Sequence, residues 1–373
     1  MSDAEPATFE RRTRAAQERL RERGDAGLVL FPSRNLRYLA GYSEDPAERH
    51  LLLFVPAEGE PVFFVPALSS EQIGEASWVD DVRTWDDAED PVPRIADIAE
   101  EIGLVGGNVL VDDTMWALFT QDLRAALPGA TFGLASEVVG ALRVRKDDAE
   151  IDAMRRAGAV TDETVRDLRE LGEDAVGMTE AELADEIEAR LEANGGTGVS
   201  FDTIVGSGPN GAKPHHHHSD REIEAGEPVV LDFGTRVDGY PSDQTRTLVF
   251  GGEPSEAVRE VHTVVQEAQR AGVEAVEPGV TAEAVDAAAR DVIEDAGYGE
   301  EFIHRTGHGV GLDVHEEPYI VEGNDRELEP GMVFSVEPGI YLPGEFGVRV
   351  EDLLVVTEDG CERLNETDHG WEC

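Results

Sequence analysis

Two apolar runs each enclose an acid where a folded chain tolerates one least. "VVLDFG" holds Asp232 and "FSVEPGI" holds Glu337. A buried carboxylate must be neutralised, paired or metal-bound. Each run opens a hairpin that brings a second acid back. Glu337 and Glu351 lie seven residues either side of Gly344, so in a hairpin turning there they face each other on one side of the sheet. Asp232 and Asp243 centre between Val237 and Asp238, beside the Asp238-Gly239 turn signal, and are expected within one residue of register. Like charges directly opposite are destabilising. Exposure to solvent explains most of the chain's 80 acidic residues, but not these four.

A metal cluster resolves the repulsion. Four carboxylates make a hard, oxygen-rich site, and "HRTGHGVGLDVHE" offers an imidazole, with His308 between Gly307 and Gly309. That donor set favours manganese, with cobalt or zinc as alternatives, over a thiolate-type site. Bridging carboxylates hold two ions about 3.5 Å apart.

The hairpins recur within a larger repeat. After the charged segment 143–152, Ile151, Met154, Ala157, Val165 and Leu168 lie near helical spacing. Thr179 and Glu182 form a capping-box pattern ahead of a second helix, and the Asp232 hairpin follows. The order then repeats: a helix over about 254–271, another capped by Thr281, and the Glu337 hairpin. The expectation is an α+β domain of two helix–helix–hairpin halves about a pseudo-twofold axis, spanning residues 146–373. Residues 1–145 read as a smaller α/β domain: an early charged helix, the strand "GLVLFP", a hairpin from "HLLLFVP" and "PVFFVP", and the strand "GGNVLVDD".

Charge bounds the partners. Against the acids stand 31 basic residues, for a net charge of −49. Nucleic acid is therefore excluded, because phosphate would be repelled. Apolar periodicity speaks against disorder, and an acidic, hydrated, salt-adapted (halophilic) surface is expected. No apolar run is long enough to span a membrane, and the start lacks the features of a signal peptide. Two cysteines, Cys361 and Cys373, make no disulfide framework. A reducing cytoplasm fits.

The tract His215–His218 in "NGAKPHHHHSD" cannot be settled locally. Nearby, "GSGPNG" fits a G-x-G-x-x-G pattern, but Pro214 and four histidines follow where a nucleotide site needs a helix.

At these motifs the chain resembles the pita-bread metallopeptidases, specifically the Xaa-Pro dipeptidases (prolidases) and Xaa-Pro aminopeptidases. "GSGPNGAKPH", "LDFGTRVDGYPSDQTRT", "HRTGHGVGLDVHE", "SVEPGIY" and "GVRVEDLLVVT" occur in the family's order, and "LFPSRNLRYLAGY" is similar to the creatinase-type N-terminal domain. The resemblance implies that Asp232, Asp243, His308, Glu337 and Glu351 bind two metal ions. It implies that Glu337 acts as general base on a bridging water and that His215 and His315 stabilise substrate and tetrahedral intermediate. His216, His217 and His218 fall where the family varies and read as loop. Thr245, Arg246 and Arg349 match as groups orienting the ligands. Lys213 stands where the family usually has a small or apolar residue. The implied substrates are proline-containing dipeptides or longer peptides, with dipeptides slightly favoured, and the implied assembly is a homodimer. Arg305 and Arg326 are candidates to hold a free proline carboxylate. The complete ligand set speaks against a non-enzymatic binding module on the same fold, and the large N-terminal domain against a methionine aminopeptidase.

Overall fold

A computed structural model describes residues 6–373, and the chain divides after Arg143 into two compact units. The first is built on a six-stranded mixed sheet. Its order is Asp81–Trp85, Val62–Pro66, Leu52–Pro56, Gly27–Leu30, Asn108–Val111 and Thr131–Leu134. The expected hairpin is present, with Leu52 opposite Phe64 in antiparallel register. The first four residues of "GLVLFP" form a strand buried at every position, as a strand covered on both faces must be.

The second unit repeats one order twice. Helix Asp148–Arg169 and helix Glu180–Ala193 precede the first set of strands; helix Glu256–Glu274 and helix Ala282–Asp295 precede the second. The Thr179 capping box forms: its hydroxyl accepts from Glu182 N at 3.1 Å, and Glu182 Oε2 accepts from Thr179 N at 2.8 Å. Thr281 departs from expectation. It occupies the cap position, but its side chain makes no capping bond. The third helical residue is Ala284, so no acid answers it, and Ala284 N bonds the Thr281 carbonyl instead.

The repeat shows in matching hydrogen bonds. Gly177 N donates to Ile223 O and Gly279 N to Leu328 O; Glu180 N donates to Arg221 O and Ala282 N to Arg326 O. Gly226 and Gly331, both at positive φ, open the corresponding strands Pro228–Phe233 and Val333–Val336. Six residues beyond each glycine stand Asp232 and Glu337. Sequence order gave this duplication only as an arrangement; the hydrogen bonds give it residue by residue.

The registers differ between the hairpins. Val336 pairs Asp352 and Gly339 pairs Arg349, so Glu337 and Glu351 sit opposite each other about Gly344, as the spacing predicts. Asp232 instead pairs Thr245, two residues from Asp243. Asp238 and Gly239 both have positive φ and fill both central places of a two-residue turn. The turn therefore centres between them, one residue beyond the expected point, and Asp232 and Asp243 become diagonal neighbours. No helix among the described residues is long and apolar enough to cross a membrane.

Candidate metal centre

The second hairpin loses its ladder where its two acids stand. Glu337 N bonds Thr306 O at 2.8 Å, and Glu351 N bonds Thr245 O at 3.1 Å. The second hairpin is thereby tied to the His308 segment on one side and to the first hairpin on the other. Ligand atoms of Asp243, His308 and Glu351 lie within 4.8 Å of one another. His308 Nε2 is 3.3 Å from Glu337 Oε1 and 3.7 Å from Asp243 Oδ2. Asp232 joins through Arg349, whose Nη2 donates to Asp232 and whose Nε donates to Thr245 Oγ1 at 3.0 Å. Thr245 passes the contact on, donating to Glu351 Oε2 at 2.7 Å.

Burial and mutual repulsion disfavour the charged forms of these carboxyls. Burial, then neighbouring Glu351, Asp232 and Glu337, raises the Asp243 carboxyl well above its ordinary value. Burial, then Glu337 and Asp232, does the same to Glu351. Burial pushes Glu337 up to about 7, against the lowering influence of Arg349. Burial, then His315, lowers His308 to about 3, so its ring is neutral. His308 Nδ1 lies 3.2 Å from the Gly309 carbonyl, which can only accept, so that nitrogen carries the proton. The Nε2 lone pair then faces the Glu337 carboxylate. Among the described residues, Asp232 Oδ1 and Glu351 Oε1 are buried with no hydrogen-bond partner. Opposed lone pairs and orphaned carboxylate oxygens fit divalent metal ions, and the residue types suit hard oxygen and imidazole coordination.

These groups open onto a cavity of about 400 Å³ that also admits His215, His315, His304 and Arg305. The His315 ring stands edge-on to His308 at 4.1 Å; burial, then Arg305, lowers its pKa. His304 was not singled out from sequence, although it lies four residues before His308. Its Nδ1 donates to Arg305 O, leaving Nε2 to accept from the Tyr341 hydroxyl at 2.9 Å, and Arg349 Nη1 donates to the same hydroxyl at 2.9 Å. Arg305 stacks on the Tyr319 ring at 4.4 Å and makes no salt bridge among the described residues. Arg326 is 4.0 Å from Glu317 and outside the cavity lining.

The histidine tract is a loop, as expected, but an anchored one. Glu180, fully buried at the start of its helix, accepts from Ser207 N and Oγ, Asn210 Nδ2, and Ser219 N and Oγ, and contacts His216 Nε2 at 2.8 Å. Burial alone would raise Glu180; bonds from Ser219, Ser207, His216 and Asn210 outweigh it and bring its pKa down to about 2. His216 is therefore a fastening as well as part of the cavity wall, which His215 and His217 also line, and His218 Nδ1 reaches Thr203 O at 3.0 Å. Only the folded loop reveals Glu180; in sequence it is one more acid in a helix's first turn.

Comparison with known proteins accounts for both units. Residues 152–358 match the metallopeptidase family M24, and residues 12–145 the creatinase/prolidase N-terminal domain. The chain belongs to metallopeptidase family M24, with the pita-bread catalytic fold behind a creatinase-type N-terminal domain. It is 43% identical to the Xaa-Pro dipeptidase of Lactobacillus helveticus over 89% of this chain and 90% of that one. It is similar to the crystal structure of dipeptidase PepE from Mycobacterium ulcerans, with TM-score 0.92, 44% identity and coverage of 99% and 98%. The recombinant prolidase from Thermococcus sibiricus gives TM-score 0.93 and 40% identity, with 98% of each chain covered.

Proposed function

We propose that this protein is a two-metal dipeptidase that hydrolyses the bond before a C-terminal proline. The observation that carries the reading is the combination in one small cavity of the carboxylate–imidazole cluster with Arg305, an arginine without a salt bridge among the described residues of a chain rich in acids. A dipeptide's free carboxylate supplies that missing partner. Similarity to an Xaa-Pro dipeptidase and a prolidase supports the same substrate class.

In this reading Asp232, Asp243, His308, Glu337 and Glu351 hold two divalent ions, with manganese favoured over cobalt or zinc. Bound there, the ions would supply Lewis acidity and an activated water. Glu337 takes a proton from the attacking water and returns it to the proline nitrogen. His215 and His315 border the cavity from separate segments and stabilise the substrate carbonyl as it gains charge. The bond before proline is a tertiary amide with no N–H, so side chains rather than a backbone grip must orient it. Residues 146–373 carry this chemistry and 1–145 form the N-terminal domain.

The test compares Ala-Pro, Ala-Pro-Ala and Ala-Ala with manganese in concentrated salt. Cleavage of Ala-Pro alone supports the dipeptidase. Preference for Ala-Pro-Ala moves the protein to the Xaa-Pro aminopeptidases, and cleavage of Ala-Ala alone removes proline specificity. We further propose a cytoplasmic homodimer adapted to high salt. The net charge of −49 supports the last point, since salt screens self-repulsion.

A further inference from the structure

Beside each of two proposed ligands stands a buried residue facing away from the cavity: Gln244 follows Asp243 and Asp352 follows Glu351, both fully buried. Successive side chains of an extended chain point to opposite sides, so what grips these neighbours also sets where the ligands stand. Both are gripped by the same short segment near the C-terminus. Gln244 Nε2 donates to Thr367 Oγ1 at 2.8 Å. His369 Nε2 lies 2.8 Å from Asp352 Oδ2. Arg246, itself fully buried, ties the two together. Its Nη2 donates to Asp352 Oδ1 at 2.8 Å and to Thr367 O and Oγ1 at 3.0 Å; its Nη1 donates to Glu351 O at 2.6 Å.

The segment is itself fastened. Asp162 accepts from Glu366 N, Thr367 N and Gln244 Nε2. Asn365 Oδ1 accepts from Leu353 N at 2.9 Å, and Arg169 donates to Asp368 O and Gly370 O. This hydrogen bonding, much of it buried, converges on the backs of two ligand-bearing strands.

We propose that residues 365–369 act as a clip that fixes the separation of Asp243 and Glu351, with Thr367 and His369 as positioning residues for metal binding. Without a cation the carboxylates repel and drive their strands apart. The clip holds the strands from behind, so the ions meet ligands already in place. Thr367 touches no ligand directly; it acts through Gln244 and Arg246. The proposal rests on the metallopeptidase reading of the site.

The experiment strips the full-length protein with chelator and titrates it with Mn²⁺ alone by calorimetry, for wild type, Thr367→Val, Thr367→Ser and the exposed control Glu358→Gln, outside the clip. Valine keeps the shape and removes the hydroxyl; serine restores it. Thr367→Val is expected to bind Mn²⁺ about 10- to 100-fold more weakly, the usual cost of losing a group that orients a ligand. Thr367→Ser and Glu358→Gln should bind as wild type does. In assays, Thr367→Val should need more manganese yet regain the wild-type kcat and KM for Ala-Pro at saturating metal. Wild-type Mn²⁺ affinity in a folded Thr367→Val, whether or not its melting temperature falls, overturns the clip. Should Thr367→Val not fold, His369→Gln takes its place, with weaker Mn²⁺ binding expected and unchanged binding overturning the clip. Failure of wild type to bind Mn²⁺ overturns instead the reading of the site on which the clip depends.

Discussion

The two halves of the catalytic unit share a frame and diverge in their loops. Asp232 and Glu337 occupy the same place in the repeat, six residues after a glycine at positive φ. The histidines do not match in this way. The first half contributes His215 from a loop fastened to Glu180. At the position of Glu180 the second half has Ala282, and its acid is one turn further on. There Asp286 accepts from Thr306 N at 3.0 Å and pairs with Arg290, which in turn donates to His304 O. One carboxylate of each half, Asp232 and Glu337, thus comes from what the halves have in common, whereas Asp243, Glu351 and the imidazoles come from where they differ. The repeat supplies the frame of the site and its departures supply the remaining groups that line it.

The largest test of that division removes the equivalent acids. Asp232→Asn and Glu337→Gln should each reduce Ala-Pro hydrolysis below detection in steady-state assays. Near-wild-type turnover in either variant breaks the equivalence. Next come the histidines of the first half. His215→Ala should lose about a hundredfold in kcat, the range for losing one oxyanion donor, with bound metal retained. His217→Ala and His218→Ala should change kcat little, and comparable losses across all three would mean that His215 has no special place in the loop.

The anchors come third. Glu180→Gln and Asp286→Asn should each lower kcat/KM by roughly tenfold, as expected for groups that orient a reacting one. Glu180 adds a pH signature. Its folded pKa, near 2, lies below that of an unfolded glutamate. The stabilisation it provides is therefore complete above the unfolded value and is lost as pH falls towards the folded one. The melting-temperature gap between wild type and Glu180→Gln should narrow between about pH 5 and pH 2.5, and a gap independent of pH contradicts the anchoring. The smallest effect is at the helix caps. Thr179→Ala should cost about 1 kcal/mol in denaturant unfolding. Thr281→Ala should cost clearly less, because its side chain makes no capping bond.

What could be read in the sequence was local or symmetric. The Thr179–Glu182 box is a pattern four residues long, and Glu337 and Glu351 could be paired because Gly344 marks a turn equally distant from both. The Asp232–Asp243 offset was misread by one residue because Asp-Gly fills both central places of its turn. The fastening of His216 to Glu180, 36 residues away, and of Thr367 to Gln244, 123 residues away, joins segments with no shared period or spacing. Such contacts exist only once the chain has closed on itself.

The central claim is that the two hairpins and His308 together hold two divalent ions. Elemental analysis of protein purified without chelator, repeated after chelation and add-back of manganese, tests it most directly. The account predicts two ions per chain, loss of Ala-Pro hydrolysis with their removal and recovery with their return. Protein that carries no metal and hydrolyses the dipeptide equally well after chelation would contradict it.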